Sequence, residues 1–387
     1  MDPVLNPYSP GAGRPPVALV GRERELRSWD VRLQRIEGRR SAQPVTLYGL
    51  RGVGKTVLLT AFAQRAEQRE WIVARFEAGS GRTLRESLGE GLHGPLADLA
   101  RPSAPERLLK ALKTALSFKA SYDTDGTWSF GLDLTGASGG GADTGILETD
   151  VLKLVRDVAT ATDTGLAVLV DEAQELTGEE LAVVAATAHR AGQEGWPVLF
   201  ALAGLPSLPR LLAEAKSYTE RLFTFEPIRH LDESIATAAL TEPAAGEEVS
   251  WEADAVALIV DRSSGYPYFL QQFGQDVWNT ATASPITVAD ARAGVATGRA
   301  ALDNGFFRAR WDRATPAEKR YLRAMAVDGD DGSQSGAVAE RLHRPLTSLG
   351  PTRAKLIAKG LIYAPEHGVV AFTVPHMAEF IGRQLEE

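Results

Sequence analysis

The feature that most constrains this chain is the octet Gly49-Leu50-Arg51-Gly52-Val53-Gly54-Lys55-Thr56, preceded by the apolar run "PVTLY" and followed by "VLLTAFAQRA". It fits the spacing G-x-x-x-x-G-K-[ST] in full. The glycines let consecutive backbone N–H groups turn inward around phosphate oxygens without Cβ clashes. A helix starting at Lys55 adds free N–H groups and the positive end of its dipole. In such a loop Gly49, Gly52, Val53, Gly54, Lys55, Thr56 and Val57 hold the nucleotide: Lys55 neutralises the β- and γ-phosphates, and the Thr56 hydroxyl completes a Mg²⁺ shell. A strand before the loop and a helix after it are what the motif requires, and the flanking residues supply both.

The loop demands a sheet to carry it, and the sequence contains one. "WIVARFEA" from Trp71, "GLAVLVDEAQEL" from Gly165, "WPVLFALAG" from Trp196 and "RLFTFEPI" from Arg221 read as strands separated by helical stretches. Strands this apolar imply a parallel sheet covered on both faces. Ahead of the loop, Leu26, Trp29, Leu33 and Ile36 recur at helical spacing; after it, Leu59, Phe62 and Ala66 share one helical face. The expected fold class is therefore α/β, a P-loop nucleoside-triphosphatase architecture followed by helical units.

Composition shifts mark the organisation. Residues 1–17 are rich in Pro and Gly and read as an extended arm. The α/β unit runs over 18–229, interrupted by a Gly-rich insert at 121–147 in which "TWSFGLDL" alternates like a hairpin arm. Helices alone fill 230–304, with turns at "SSGYPY" and "TASPIT". The remainder, 305–387, has Thr315 as a cap, Pro316 at the first helical position and Glu318 placed to close a capping box. Two more helices follow, "SGAVAERL" and "LTSLGPTRAKLIAKG", and then "LIYAPEHGVVAFTV" reads as a hairpin. Three helices and a hairpin are the order of a winged helix.

Bulk properties exclude several classes. Hydrophobic residues at 44% and charged residues at 24% describe an ordinary soluble globular protein. A formal net charge of −8 argues against a coat for nucleic acid, which needs many phosphate-neutralising cations. There are no cysteines, which removes disulfides, thiolate catalysis and Cys-ligated zinc. The six histidines show no metal-ligand pairing and read as structural or exposed. No signal-peptide pattern and no run approaching the roughly 20 apolar residues of a bilayer span occur, so a cytoplasmic location without membrane contact is expected.

Asp171 and Glu172 end the strand "LAVLV". An aspartate at that edge, next to the loop, holds Mg²⁺ through water, and the adjacent Glu172 polarises an attacking water as general base. Arg221, just before a predicted strand, is either a subunit-bridging arginine finger or a salt-bridged surface residue. "GYPYF", at Gly265 to Phe269, either closes over the nucleotide or merely joins two helices. Arg341, Arg344, Arg353, Lys355 and Lys359 lie on or beside the third helix of the last unit. There they contact duplex DNA or form a solvated basic face, and the hairpin tip carries Glu366 rather than a cation.

Taken together, these motifs resemble AAA+ proteins of the origin-recognition branch and the STAND signal-transduction ATPases. "LVGRERELRSW" is similar to the box that precedes their ATP loop and lies against adenine, which maps onto Val20, Gly21 and Arg22. "GLRGVGKT", "LVDEAQ", "ALAGLPSL", "ERLFTF" and "SSGYPYFL" then follow in the order of those families. The resemblance spans nearly the whole chain outside the arm and the insert. It implies that Arg221 is the finger and that Pro267 is the lid contact to the nucleotide. Two departures stand out: Ala203 and Gly204 replace the usual polar sensor, and Gly-Tyr-Pro replaces a sensor arginine near Tyr268. A missing positioned donor costs several kcal/mol of transition-state stabilisation, so hydrolysis is expected to be slow.

The reading is an ATPase, binding ATP or ADP with Mg²⁺, that acts as a slow switch and repositions its winged helix. A DNA-binding initiator or loader is the alternative. In a third reading the winged helix docks a protein partner, or the chain self-assembles.

Overall fold

The computed structural model describes residues 1–11, 13–17, 19–79, 81–99, 106–119, 144–161 and 164–384. Five parallel strands form the central sheet: β1 (Val45–Tyr48), β2 (Ile72–Glu77), β3 (Leu166–Asp171), β4 (Val198–Gly204) and β5 (Thr224–Pro227), in the order β2-β3-β4-β1-β5. All five strands expected from the sequence are present. Alternation along β3 shows why both faces are covered. Ala167 and Leu169 point into one core with α1 (Glu23–Glu37) and α2 (Lys55–Glu67), while Leu166, Val168 and Val170 point into the other. That second face carries α3 (Leu84–Leu99), α4 (Glu106–Lys119), α5 (Thr144–Ala159), α6 (Gly178–Glu194) and α7 (Leu208–Ala215). A short α8 (Thr219–Leu222) leads into β5.

The amphipathic face read before the loop is real. Trp29 and Leu33 are fully buried, and the Trp29 indole stacks on Phe62 at 4.6 Å while its Nε1–H donates to Phe62 O at 2.9 Å. Burial of Leu33 or Phe62 contributes about 1.5–3 kcal/mol each, and it fixes α1 against the helix that begins at Lys55. Most of the 121–147 insert, including "TWSFGLDL", lies outside the described residues. Its last part is a correction: Thr144 opens α5, so residues 144–147 are helix rather than loop.

The helical stretch after the sheet comprises α9 (Glu233–Gly246), α10 (Ala253–Ser263), α11 (Pro267–Thr280) and α12 (Val288–Leu302). A π turn, Asp303–Phe307, leads into α13 (Arg308–Trp311). Beyond it lie α14 (Pro316–Ala326), β6 (Ser333–Gln334), α15 (Ser335–Arg341), α16 (Leu346–Ala358), β7 (Ile362–Tyr363), β8 (Val369–Phe372) and α17 (Met377–Gly382). The capping box of α14 forms as spaced: Thr315 N donates to Glu318 Oε2 at 2.7 Å, and Glu318 N donates back to Thr315 Oγ1 at 3.4 Å. β7 and β8 pair antiparallel as the expected hairpin, and β6 adds a third strand that the sequence reading missed. A two-residue strand is too short to leave a periodicity.

One apolar core runs from Leu231 through Phe269, Phe307 and Trp311 to Phe380, joining the helices after the sheet to the last unit. The N-terminal arm packs onto that same core. Its described residues include a 3₁₀ turn at Pro3–Leu5 and a turn at Gly13, and Tyr8 is buried among Trp251 and Trp278. Among the described residues no helix is long and apolar enough to cross a membrane.

Candidate functional site

The carboxyl ends of β1 and β3 open into a cavity of about 490 Å³, within the 300–1,000 Å³ range of small-molecule sites. The loop after β1 forms its floor. Gly54 adopts φ 95°, a conformation in which a Cβ is strained, and α2 starts at the next residue. Gly49 admits no side chain at all, since a Cβ there would sit 2.1 Å from Ile228 O. The loop is thus held open and pressed against the end of β5.

Lys55 is buried, and its Nζ donates to Gly49 O at 2.9 Å and Leu50 O at 2.8 Å. Burial pushes its ammonium down to about 8, against the opposing pull of Glu172 and Asp171. A desolvated cation that faces neutral carbonyls is made for an incoming anion. Thr56, half-buried, follows it in the first turn of α2, and buried Asp171 ends β3 across the cavity. This donor set, a hydroxyl and a carboxylate with a lysine between phosphate-binding amides, fits Mg²⁺-ATP. No cluster of three or more His, Cys, Asp or Glu residues able to hold a metal by itself occurs among the described residues.

Glu172 adopts φ 47°, uncommon for a side chain of its size. Its Oε1 accepts from Arg51 Nη1 at 2.9 Å and its Oε2 accepts from Gln174 Nε2 at 2.5 Å. The carboxylate expected to act on water is therefore engaged at both oxygens. Gln174 also accepts from Leu205 N at 2.9 Å and lies against Gly204. A polar side chain does stand where Ala203 and Gly204 offer none, but it comes from the turn after β3 rather than from β4.

Val20, Arg22, Gly52, Val53, Gly54, Lys55, Thr56, Val57, Asp171, Glu172 and Pro267 all line the cavity. Gly21 and Gly49 do not line it. Buried Arg22 acts as a tie, donating through Nη2 to Val53 O at 3.0 Å and to Arg229 O at 2.7 Å. Arg221 is not brought to this site. It is exposed and lies beyond the opposite ends of the strands, in a groove of about 1580 Å³ with Arg35, Arg39 and Arg40. That groove is larger, yet it has neither the loop nor the carboxylates, so the smaller cavity is the chemical one.

The structure adds residues that sequence reading missed. Tyr268 N donates to Gly52 O at 3.2 Å, and its ring stacks on Phe306 at 4.8 Å. Arg310 then enters the cavity over Phe306, 3.9 Å from the ring centroid. Burial, with Arg51 alongside, lowers its guanidinium to about 10. The cation that "GYPYF" lacks is thus supplied from α13. Glu77, at the end of β2, stands in register with Asp171; burial, then Asp171 and Glu172, raises its carboxyl. None of these carries a local spacing that marks it.

Residues 18–201 match the AAA ATPase domain, and residues 304–381 match a domain of unknown function (DUF8462). Among solved structures the chain is similar to the Walker-type ATPase of Pyrococcus abyssi, at 17% identity over 95% of this chain and 98% of that one, with a TM-score of 0.62. Cdc6p from Pyrobaculum aerophilum matches at 13% identity over 99% and 97%, with a TM-score of 0.48. The Orc1 protein of Aeropyrum pernix, solved in complex with DNA, matches at 17% over 95% and 93%, with a TM-score of 0.46. No curated protein matches in sequence. At such identities the likeness is one of fold, and the functional weight rests on the domain match and the loop geometry. The structure is a P-loop α/β fold, and within it residues 18–201 match the AAA ATPase domain.

Proposed function

We propose that the chain is a slow Mg-ATPase whose nucleotide state repositions a C-terminal winged helix. In this reading residues 18–229 bind the nucleotide, 230–304 form a lid, and 305–387 form the winged helix. The observation that carries it is the double engagement of Arg51. Its backbone N–H donates to Thr373 O at 3.0 Å, beside β8, while its side chain holds Glu172. One loop residue therefore touches both the hydrolytic carboxylate and the last unit of the chain.

Lys55, the loop amides and Arg22 would hold the nucleotide, and Thr56 and Asp171 would hold Mg²⁺, which neutralises the β- and γ-phosphates when bound. Glu172 takes a proton from water only after giving up Arg51, which supports slow turnover. Arg221, directed away from its own cavity, acts in a neighbouring copy if the chain self-assembles. A γ-phosphate shifts the equilibrium only by binding one arrangement better than the other. Arg51 and Arg310, facing the cavity from opposite units, supply that difference.

The DNA-loading alternative draws less support. Lys359 is paired with Glu318 at 2.6 Å and Arg341 with Asp328, which leaves exposed Arg344 and Lys355 and half-buried Arg353 as phosphate contacts. Spin labels in α6 and α16 test the switch: distinct distance distributions with ADP and with a non-hydrolysable ATP analogue are expected. Identical distributions in both states and without nucleotide, or unaided turnover near the roughly 10 s⁻¹ of ordinary enzymes, would sink it.

A further inference from the structure

The N-terminal arm crosses the mouth of the cavity, and nothing in the loop motif or the AAA ATPase domain accounts for it. We infer that this arm is part of the nucleotide site, with Arg14 as a further polyphosphate-binding cation and Gly13 as the point where the arm seats on the phosphate loop. The inference rests on the ATP-binding reading above.

Two sets of contacts carry it. The first fixes the arm to the helices after the sheet. The Tyr8 hydroxyl donates to Leu240 O, Asn6 Nδ2 donates to Gln275 O at 3.1 Å, and Ser9 N donates to Gln271 Oε1 at 3.0 Å. Trp278 Nε1 donates to Asp2 O at 2.9 Å. The arm therefore moves with α9 and α11. The second set lies on the far side of the cavity. Gly13 adopts φ 69°, and a Cβ on it would meet Thr56 Cγ2 at 2.9 Å, so the arm rests directly on the first turn of α2. Ser9, Gly13, Arg14 and Pro16 all line the cavity between these two anchorages.

Structural packing alone explains Tyr8, which is buried. It does not explain Arg14. That side chain is exposed, folds across Gly11, and has no anionic partner among the described residues. A guanidinium held at the rim of a cavity whose floor binds phosphate recognises the same anion, bidentately where geometry allows. A segment bonded to α11 and seated on Thr56 also spans the route by which a nucleotide leaves. It follows that the arm raises affinity chiefly by slowing dissociation.

The test is stopped-flow dissociation of a fluorescent ATP analogue from wild type, Arg14→Ala, Gly13→Val and Lys55→Ala, with melting temperatures measured alongside. Dissociation at least roughly fivefold faster in both arm variants, at unchanged melting temperature, is the expected result. Hydrogen exchange in arm peptides should also slow when ATP is added to wild type. If wild type binds the analogue and Lys55→Ala does not, while both arm variants release it at the wild-type rate, the arm inference is overturned and the ATP site stands. If wild type itself fails to bind, the ATP reading falls and takes the arm with it.

Discussion

The nucleotide cavity has two halves of different origin. One half, the loop after β1 with Lys55, Thr56, Asp171 and Glu172, is built by short segments at the ends of strands. The other half, Tyr268, Phe306 and Arg310 with the Arg51–Thr373 link, is built by residues far apart in the chain. The first half has the parts for binding and cleaving a triphosphate. The second, on the switch reading proposed above, registers which nucleotide is there. If that reading is right, chemistry and its readout fall in different regions, and substitutions should separate them.

Lys55→Ala should have the largest effect, weakening ATP binding by at least roughly a hundredfold, since a charge-assisted contact is lost and the cavity keeps its buried carbonyls; calorimetry reads it, and a change below threefold would detach the loop from the nucleotide. Glu172→Gln should lower turnover by about 10²–10³ while leaving affinity within a few-fold, as expected for removal of a general base. Equal losses in binding and turnover would break the division between the two halves. Arg310→Ala should reduce the preference for ATP over ADP by roughly tenfold and leave Glu172-dependent chemistry in place. If it abolishes hydrolysis instead, the second half is catalytic and the comparison fails.

The pH dependence is comparable in size. Lys55 is depressed from 10.5 to about 8 in the folded chain. Above pH 8 the site takes up a proton when it binds phosphate, so ATP affinity should fall by up to roughly tenfold per pH unit. Without nucleotide the sign reverses: the unfolded chain holds the proton that the folded chain has lost, so Lys55 makes the fold more stable as pH rises from 8 toward 10.5. A flat affinity profile from pH 7 to 9.5 would contradict the burial of Lys55. The smallest effect expected is for Arg51→Ala, a few-fold rise in basal turnover as Glu172 is released from its ion pair.

The two halves also differ in how legible they are in the sequence. The loop, the carboxylates after β3 and all five strands are marked by spacing and apolar runs, because each is a local solution to a local demand. The Thr315 capping box was equally legible, since its partners are three residues apart. Arg310, Gln174 and Glu77 are ordinary polar residues until folding brings them to the cavity, and no period marks them. The gap at Ala203 and Gly204 reads as a missing sensor only while β4 is considered alone; Gln174 lies against it from the neighbouring turn. What the arm lies upon is illegible for the same reason, because Pro and Gly composition signals an extended segment but not its contacts.

The bond from Arg51 to Thr373 has a consequence for how the molecule is made. Its two ends are separated by nearly the whole chain, and contacts of such long range form late and slowly. The loop and the helix that follows it are local in sequence, so they can close before the segment that pins them arrives. A chain cut before Thr373 therefore presents the loop unpinned, with the Arg51 backbone free of the last unit. On the ATP-binding reading, a nucleotide that reaches the loop before Thr373 docks meets it unpinned.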